Sequence, residues 1–460
     1  CLETIRSGIT CFADMYFFED TVAEVTAEFG LRAVCAQSVL KYPTPDAHSY
    51  EEAIDLTLKL IKRWKNHPLI VPAIAPHAAY TCPPEILQAC AKIAVENDIP
   101  LHTHISETTE EVENMRKETG MPVVPYLKKQ GLFEAKTFAA HCVHIDEGEM
   151  RTLLHSNVGI SHNPSSNLKL ASGIAPVRKM IELGLNVGIG TDGVASNNDL
   201  DFFEEIRLAS FLAKGSSGDP TAIPAQKTLE MATRIGAQAI HMEKITGSIE
   251  VGKRADLILV DIHTIHNTPQ FNHSEFAPYA QLVYAGKSTD VTDVMVNGKW
   301  VMRNRQIEGV NNQEILEKSH QYAEKIDQFI LVREKSVLSK LIAIGGTSQE
   351  ESYEVQAKVA IEDTATILQK LQESPIHIIR TRHYHEFDTY FSFKDDPDLL
   401  RYREDHFIEE NGEISNVRMR LTLIQPARED RYSEGIFLSK SRYIAPASQS
   451  LRFYKEYFKP

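Results

Sequence analysis

The chain has 460 residues, of which 42% are hydrophobic and 24% charged, and it carries a net charge of −14. That length exceeds one ordinary core and implies two or three domains. No apolar run approaches the roughly 18 residues of a membrane span, and the acidic balance opposes a surface that tracks nucleic-acid phosphates.

From residue 376 onward 14 Lys and Arg face 14 Asp and Glu, so the acidic excess belongs to the first 375 residues. Six cysteines, Cys1, Cys11, Cys35, Cys82, Cys90 and Cys142, fall in the first third without a CxxC pair. Several sit inside apolar runs, the pattern of buried thiols in a reducing cytoplasm. The chain opens at Cys1 with no basic segment leading into an apolar stretch, so no signal peptide is read and the opening reads as truncated.

Taken in chain order, apolar runs predict strands over 7–14, 30–40, 69–77, 100–106, 137–143, 157–162 and 186–192, separated by amphipathic helices. One such helix, 84–97, starts after Pro83 and repeats Ile86, Leu87, Cys90, Ile93 and Ala94 at helical spacing. Seven βα units are one short of a closed (β/α)8 barrel, and a barrel missing a strand exposes two unpaired edges. The expectation is an α/β barrel over 1–246 whose first strand lies upstream of Cys1. Over 247–306 short strands with turn signals predict a small flanking β-domain, with Asn297-Gly298 as a hairpin turn. Helical periodicity over 312–342 and the GGTSQEES break at 345–352 predict a connector over 307–350 and a second module over 351–460.

In a βα barrel the reacting groups come from the C-terminal ends of strands. Five predicted strands end in polar groups: Asp14, His77, His104, His141 and Asp192. In PLHTHISE (100–107) alternation puts His102 and His104 on one face, with Glu107 in the following turn. A lone strand histidine is more often a packed core residue than a ligand. A set of His, His and Asp at equivalent strand ends instead suits one divalent ion. Glu107 reads as a proton-transferring acid, or as a helix-start carboxylate with Glu110 and Glu111 beside it. The stretch SHNPSSNLKLASG (161–173) offers amide and hydroxyl groups suited to ribose or purine edges, or only to turn formation.

HTHISETTEE, APHAAYTCPPEI, AHCVHIDEGE, SHNPSSNLKLASGIAPV and GTDGVASNN together resemble the amidohydrolase superfamily, most closely its methylthioadenosine/S-adenosylhomocysteine deaminase branch. The resemblance covers roughly residues 1–306. It implies a (β/α)8 barrel with a flanking β-sandwich, one zinc or similar divalent ion, and a purine nucleoside as substrate. His104 and Asp192 would be metal ligands, with Asp192 also accepting a proton. Glu107 would shuttle a proton to the purine ring nitrogen, and His141 would steady the attacking hydroxide. His77 would contact substrate, as would Glu107 and Asp192. The family's first strand supplies an HxH pair of further ligands that has no counterpart here, which implies weak metal binding and poor turnover for this polypeptide.

Residues 353–460 resemble the CYTH, or triphosphate-tunnel, fold through YEVQAKV, HEFDTYF, LRYR, VRMRLTLIQP and SKSR. Alternation pairs Arg401 with Arg403, Arg418 with Arg420, and Lys440 with Arg442 on strand faces. Turned inward with Lys358, these cations would line a phosphate site with Mg2+ or Mn2+; turned outward, they form a solvated face. Gln356 and Ile424 stand where the family has an acid and a lysine, which weakens any triphosphatase activity. Other readings are a guanine- or triazine-type deaminase or chlorohydrolase, and a regulatory triphosphate-binding protein with a non-catalytic barrel. A homo-oligomer is compatible with the sequence.

Overall fold

The computed structural model describes residues 1–271, 273–307, 309–333, 354–359, 363, 365, 369–370, 384–393, 396–409, 412–424, 436–446 and 451–457. The chain forms two compact units, Cys1–Val310 and Asn311–Pro460. No helix among the described residues is long and apolar enough to cross a membrane.

In the first unit seven strands form one parallel sheet in sequence order: β1 (Cys11–Tyr16), β2 (Arg32–Val39), β3 (Ile70–Pro76), β4 (Pro100–Ile105), β5 (Lys136–His141), β6 (Gly159–His162) and β7 (Val187–Ile189). All eight residues of β2 are buried, as expected where helices cover a parallel sheet. The helix Tyr50–Trp64 shows how a crossover docks. Ser49 Oγ accepts the Glu52 N–H at its start, and Ala53, Thr57, Leu60, Ile61 and Trp64 bury one face at helical spacing.

Two strands differ from expectation at their ends. The strand expected from residue 7 starts only at Cys11, because the helix Leu2–Arg6 precedes it and Gly8 at φ 83 turns the chain into β1. The run expected to 192 stops at Ile189; Gly190 still donates its N–H to the His162 carbonyl at 2.9 Å, where a Cβ would lie 2.5 Å from Asn163 Oδ1 and Ser161 Oγ, and Asp192 takes a left-handed turn at φ 62. Among the described residues β1 pairs only with β2, and β7 only with β6. A cavity of about 1520 Å3 lies along these two edges.

At the end of β1 two carboxyl groups face each other in a dry setting. Glu19 is fully buried, and burial followed by Asp14 pushes its pKa up to about 10; burial likewise raises Asp14. A carboxyl raised above its ordinary 4.5 keeps its proton in the folded unit, so its cost to stability grows as pH rises from 4.5 toward 10. Glu19→Gln keeps an acceptor for the Tyr16 N–H, 3.1 Å away. It is expected to raise unfolding free energy by about 1–3 kcal/mol near pH 8 and by much less near pH 5. Denaturant melts of the two proteins at both pH values check the difference.

Beyond the sheet, β8 (Leu257–Val260), β9 (Val291–Val296) and β10 (Lys299–Met302) form an antiparallel sheet in the order β10-β9-β8. Asn297 and Gly298, at φ 52 and 76, make the expected hairpin turn. This sheet lies within the first unit. Buried Arg32 joins the layers, donating to Asp256 at 2.6 and 3.0 Å and to the Pro68 carbonyl at 2.7 Å. All six cysteines are free, and burial pushes the Cys142 thiol up.

The second unit contains the helix Asn312–Arg333, followed by β11 (Glu354–Val359), β12 (Tyr384–Phe393), β13 (Asp396–Ile408), β14 (Ile414–Ile424) and β15 (Ile436–Pro446), then the helix Leu451–Tyr457. The strands form an antiparallel sheet in the order β11-β15-β14-β13-β12; among the described residues β11 and β12 are its edges. The expected linker at 345–352 and the end of the helix expected over 312–342 lie outside the described residues.

The described cations of this sheet meet carboxylates across the strands. Arg403 donates to both oxygens of Asp388 at 2.6 Å and reaches Glu386 at 2.6 Å. Fully buried Asp405 accepts from Arg418 at 2.8 Å and pairs with Arg420 at 2.9 Å. Arg403 in turn holds the Asp388 carboxyl below its usual range. Arg401 is buried opposite Tyr390 and Thr422. A triphosphate would have to displace three of these arginines from their carboxylates before binding them. Lys358 lies on β11, and Lys440 and Arg442 on β15; their side chains fall outside the described residues.

Candidate active site

The sequence-predicted groups converge at the C-terminal ends of the parallel strands. His104, near the end of β4, has its ring centroid 4.7 Å from that of His77, just past β3, and 5.3 Å from that of His141, the last residue of β5. His141 Nε2 lies 3.7 Å from Glu107 Oε2 and 3.9 Å from Asp192 Oδ2. His141 is 2% exposed, whereas both carboxylates keep 22% exposure, so the cluster has a dry floor and a wet mouth. Asp14, expected at a strand end, lies inside β1, paired with Cys35; it lines the same cavity and pairs with Glu19.

The turns that deliver these groups are strained. Ser106, His141, Cys142 and Asp192 all have left-handed backbone, at φ 50, 75, 50 and 62. Each costs about 1–3 kcal/mol for a residue other than glycine, and such residues gather where the surroundings hold a side chain in a required direction. Glu111 braces the turn before Glu107: its carboxylate accepts the N–H groups of Ser106 at 3.1 Å and Glu107 at 2.7 Å. That explains why an acid occupies the start of the helix Thr109–Thr119.

Proton positions follow from acceptor chemistry. A carbonyl only accepts, so His104 Nδ1–H donates to the His77 carbonyl at 2.8 Å, leaving Nε2 with a free lone pair. His141 Nδ1–H donates to Asn167 Oδ1 at 2.9 Å, so its Nε2 faces the two carboxylates. Thr81 Oγ donates to the Ala78 carbonyl and accepts from His77 Nδ1 at 2.9 Å. Burial, followed by the neighbouring His141, lowers the pKa of His104. Burial and then His104 and His141 pull His77 down to about 4. Both rings are neutral near neutral pH.

His102 shares the inward face with His104, as its alternation predicts, but stacks on Phe138 at 4.2 Å deeper in the sheet. The stretch 161–173 turns three side chains toward this cluster. Ser166 Oγ donates to Asp192 Oδ2 at 2.6 Å, Asn167 accepts from His141, and Ser172 Oγ donates to Glu107 Oε1 at 3.2 Å. Sequence reading singled out the stretch but not these residues. The available signal was that a buried strand-end imidazole needs an acceptor for its second nitrogen.

The Amidohydrolase family pattern matches residues 1–301. The 5-methylthioadenosine/S-adenosylhomocysteine deaminase of Thermodesulfovibrio yellowstonii is 41% identical over 326 residues, covering 71% of this chain and 73% of that protein. Its counterpart from Syntrophobacter fumaroxidans is 43% identical over 326 residues, with the same coverage. A zinc-bound adenosine deaminase structure from Xanthomonas campestris superimposes with a TM-score of 0.69 at 36% identity, over 71% of this chain and 73% of that one. A zinc-complexed atrazine chlorohydrolase from Arthrobacter aurescens, at 24% identity and a TM-score of 0.64, shares the fold over 70% of this chain and 74% of its own. The family match and these identities, each spread over 73% of a relative, make the chain a member of the amidohydrolase family.

Proposed function

We propose that the first unit hydrolytically deaminates adenosine-type nucleosides, with 5-methylthioadenosine and S-adenosylhomocysteine as substrates and the inosyl compound and ammonia as products. The observation that carries this reading is His141 Nε2 set between the carboxylates of Glu107 and Asp192, at 3.7 and 3.9 Å, beside the His104 ring. The names of the two relatives at 41% and 43% identity support the substrate class. The zinc of the adenosine deaminase structure supports zinc as the ion.

The residues at hand fit such an ion in part. His104 offers the Nε2 lone pair and Asp192 an anionic oxygen, both donors that zinc accepts. Among the described residues no three His, Cys, Asp or Glu side chains are grouped to hold an ion. The family resemblance adds an HxH pair of further donors to these two. When bound, the ion supplies hydroxide at neutral pH by lowering the pKa of its water toward about 7.

Glu107 then delivers a proton from Oε2 to the purine ring nitrogen, so that attack at the amino-bearing carbon does not build an anion on the ring. Asp192 takes the proton of the attacking water and passes it to the amino group, which departs as ammonia while the hydroxyl proton on the reacting carbon returns to Glu107 as the carbonyl forms. His141 Nε2 holds the attacking oxygen in line, and neutral His77 presents Nε2 to the nucleoside as an acceptor.

Ammonia release and the purine absorbance change test this reading. The zinc-supplemented chain is offered 5-methylthioadenosine, S-adenosylhomocysteine, adenosine, guanine and an aminotriazine. Slow turnover of the nucleosides is expected, because His104 and Asp192 make up only part of the ligand set. Turnover confined to guanine or the triazine would reassign the substrate, and none with any of the five would overturn the proposal.

A further inference from the structure

We infer that the stretch 161–173 after β6 is the positioning element of the site, with Ser166, Asn167 and Ser172 setting the orientation and proton placement of Asp192, His141 and Glu107. This rests on the deaminase reading above and assigns roles to residues that act through other side chains. Three groups from three different strands are reached by one short stretch, through hydrogen bonds spanning 26, 26 and 65 residues of sequence. Turn formation alone would engage nearby backbone instead. The three side chains are 0, 1 and 5% exposed, so their bonds form away from competing water.

The stretch is braced by hydrogen bonds to the surrounding fold. The Asn167 carbonyl accepts the Ser172 N–H at 2.9 Å, and His144 Nε2 donates to the Ser172 carbonyl at 2.6 Å. The Ser165 N–H donates to Glu205 at 3.1 Å, and Lys169 to the Ala195 carbonyl at 2.9 Å. Gly190 completes the fit, since a Cβ there would collide with Ser161 and Asn163.

Each bond fixes one chemical detail. Asn167 Oδ1 holds the His141 proton on Nδ1, leaving the Nε2 lone pair toward the carboxylates. Ser172 occupies Glu107 Oε1, so Oε2, the oxygen nearer His141, is the one left open for proton transfer. Ser166 and the Gly193 N–H, at 2.6 Å each, hold the two oxygens of Asp192.

Ser172→Ala and Asn167→Ala are expected to lower kcat about 10- to 100-fold while KM stays within about threefold; the melting temperature holds in Ser172→Ala and falls modestly in Asn167→Ala, where the buried His141 Nδ1–H loses its acceptor. Ser172→Thr, which retains the hydroxyl, should recover most of the rate. Wild-type kcat in both alanine variants would overturn the inference. So would a loss of KM and melting temperature in step with kcat, which is what a merely structural role gives. A second readout does not need turnover: nitrogen NMR of the histidine rings should find His141 protonated at Nδ1 in the unaltered chain and as a tautomer mixture in Asn167→Ala. An Nε2–H tautomer in the unaltered chain would refute the assignment. Absence of ammonia with every nucleoside would instead remove the deaminase reading, leaving the tautomer result to decide the positioning claim.

Discussion

Glu107→Gln is expected to lower kcat for nucleoside deamination by about two to four orders of magnitude, the usual contribution of a positioned general acid. The substitution is nearly isosteric. Its amide oxygen can still accept from Ser172, and the backbone N–H of residue 107 still meets Glu111. What disappears is a carboxyl oxygen able to carry a proton at Oε2, 3.7 Å from His141 Nε2. A side chain 22% exposed at the rim of the cluster contributes little to folding, so the melting temperature should hold. Zinc content should hold too, because Glu107 is assigned proton transfer and not ligation. Steady-state kinetics with metal analysis on the same preparation separates these effects. A rate loss accompanied by metal loss would move Glu107 into the ligand set.

Asp192→Ala is expected to do more: activity falls below detection and zinc affinity drops by at least about 100-fold. Even removing a residue that only supports a metal ligand costs about 10- to 100-fold, and here an anionic donor itself is lost. Ser166 Oγ would also lose its acceptor, leaving a fully buried hydroxyl unpaired at about 1–3 kcal/mol. The measurement is zinc titration against a competing chelator, with ammonia release followed in parallel. Unchanged zinc affinity in the variant would remove Asp192 from the metal site.

How far the sequence spoke for this site depends on how local each signal is. The strands were legible because a parallel sheet covered on both sides demands near-continuous apolar runs, as in the wholly buried β2. His77, His104, His141 and Asp192 stood out because polar groups interrupt those runs at their ends. Strand ends read less well: at the end of β7 only glycine fits beside Ser161 and Asn163, residues far away in sequence.

Ser166, Asn167 and Ser172 were hidden for the same reason. A serine or asparagine after a strand is ordinary turn material, and only the tertiary fold shows that these three reach carboxylates and an imidazole. In the second unit, alternation placed Arg401, Arg403, Arg418 and Arg420 correctly on strands. It could not reveal that Asp388, Glu386 and Asp405 answer three of them, because cross-strand register lies outside any single-strand pattern.

The most direct test follows the oxygen. A single turnover of 5-methylthioadenosine by the zinc-supplemented chain in heavy-oxygen water should give one equivalent of ammonia and a product whose purine ring carries the label at the former amino position. Release of free adenine, or label on the ribose, would mean that the cluster of His104, Glu107, His141 and Asp192 cleaves a different bond, and would contradict the account.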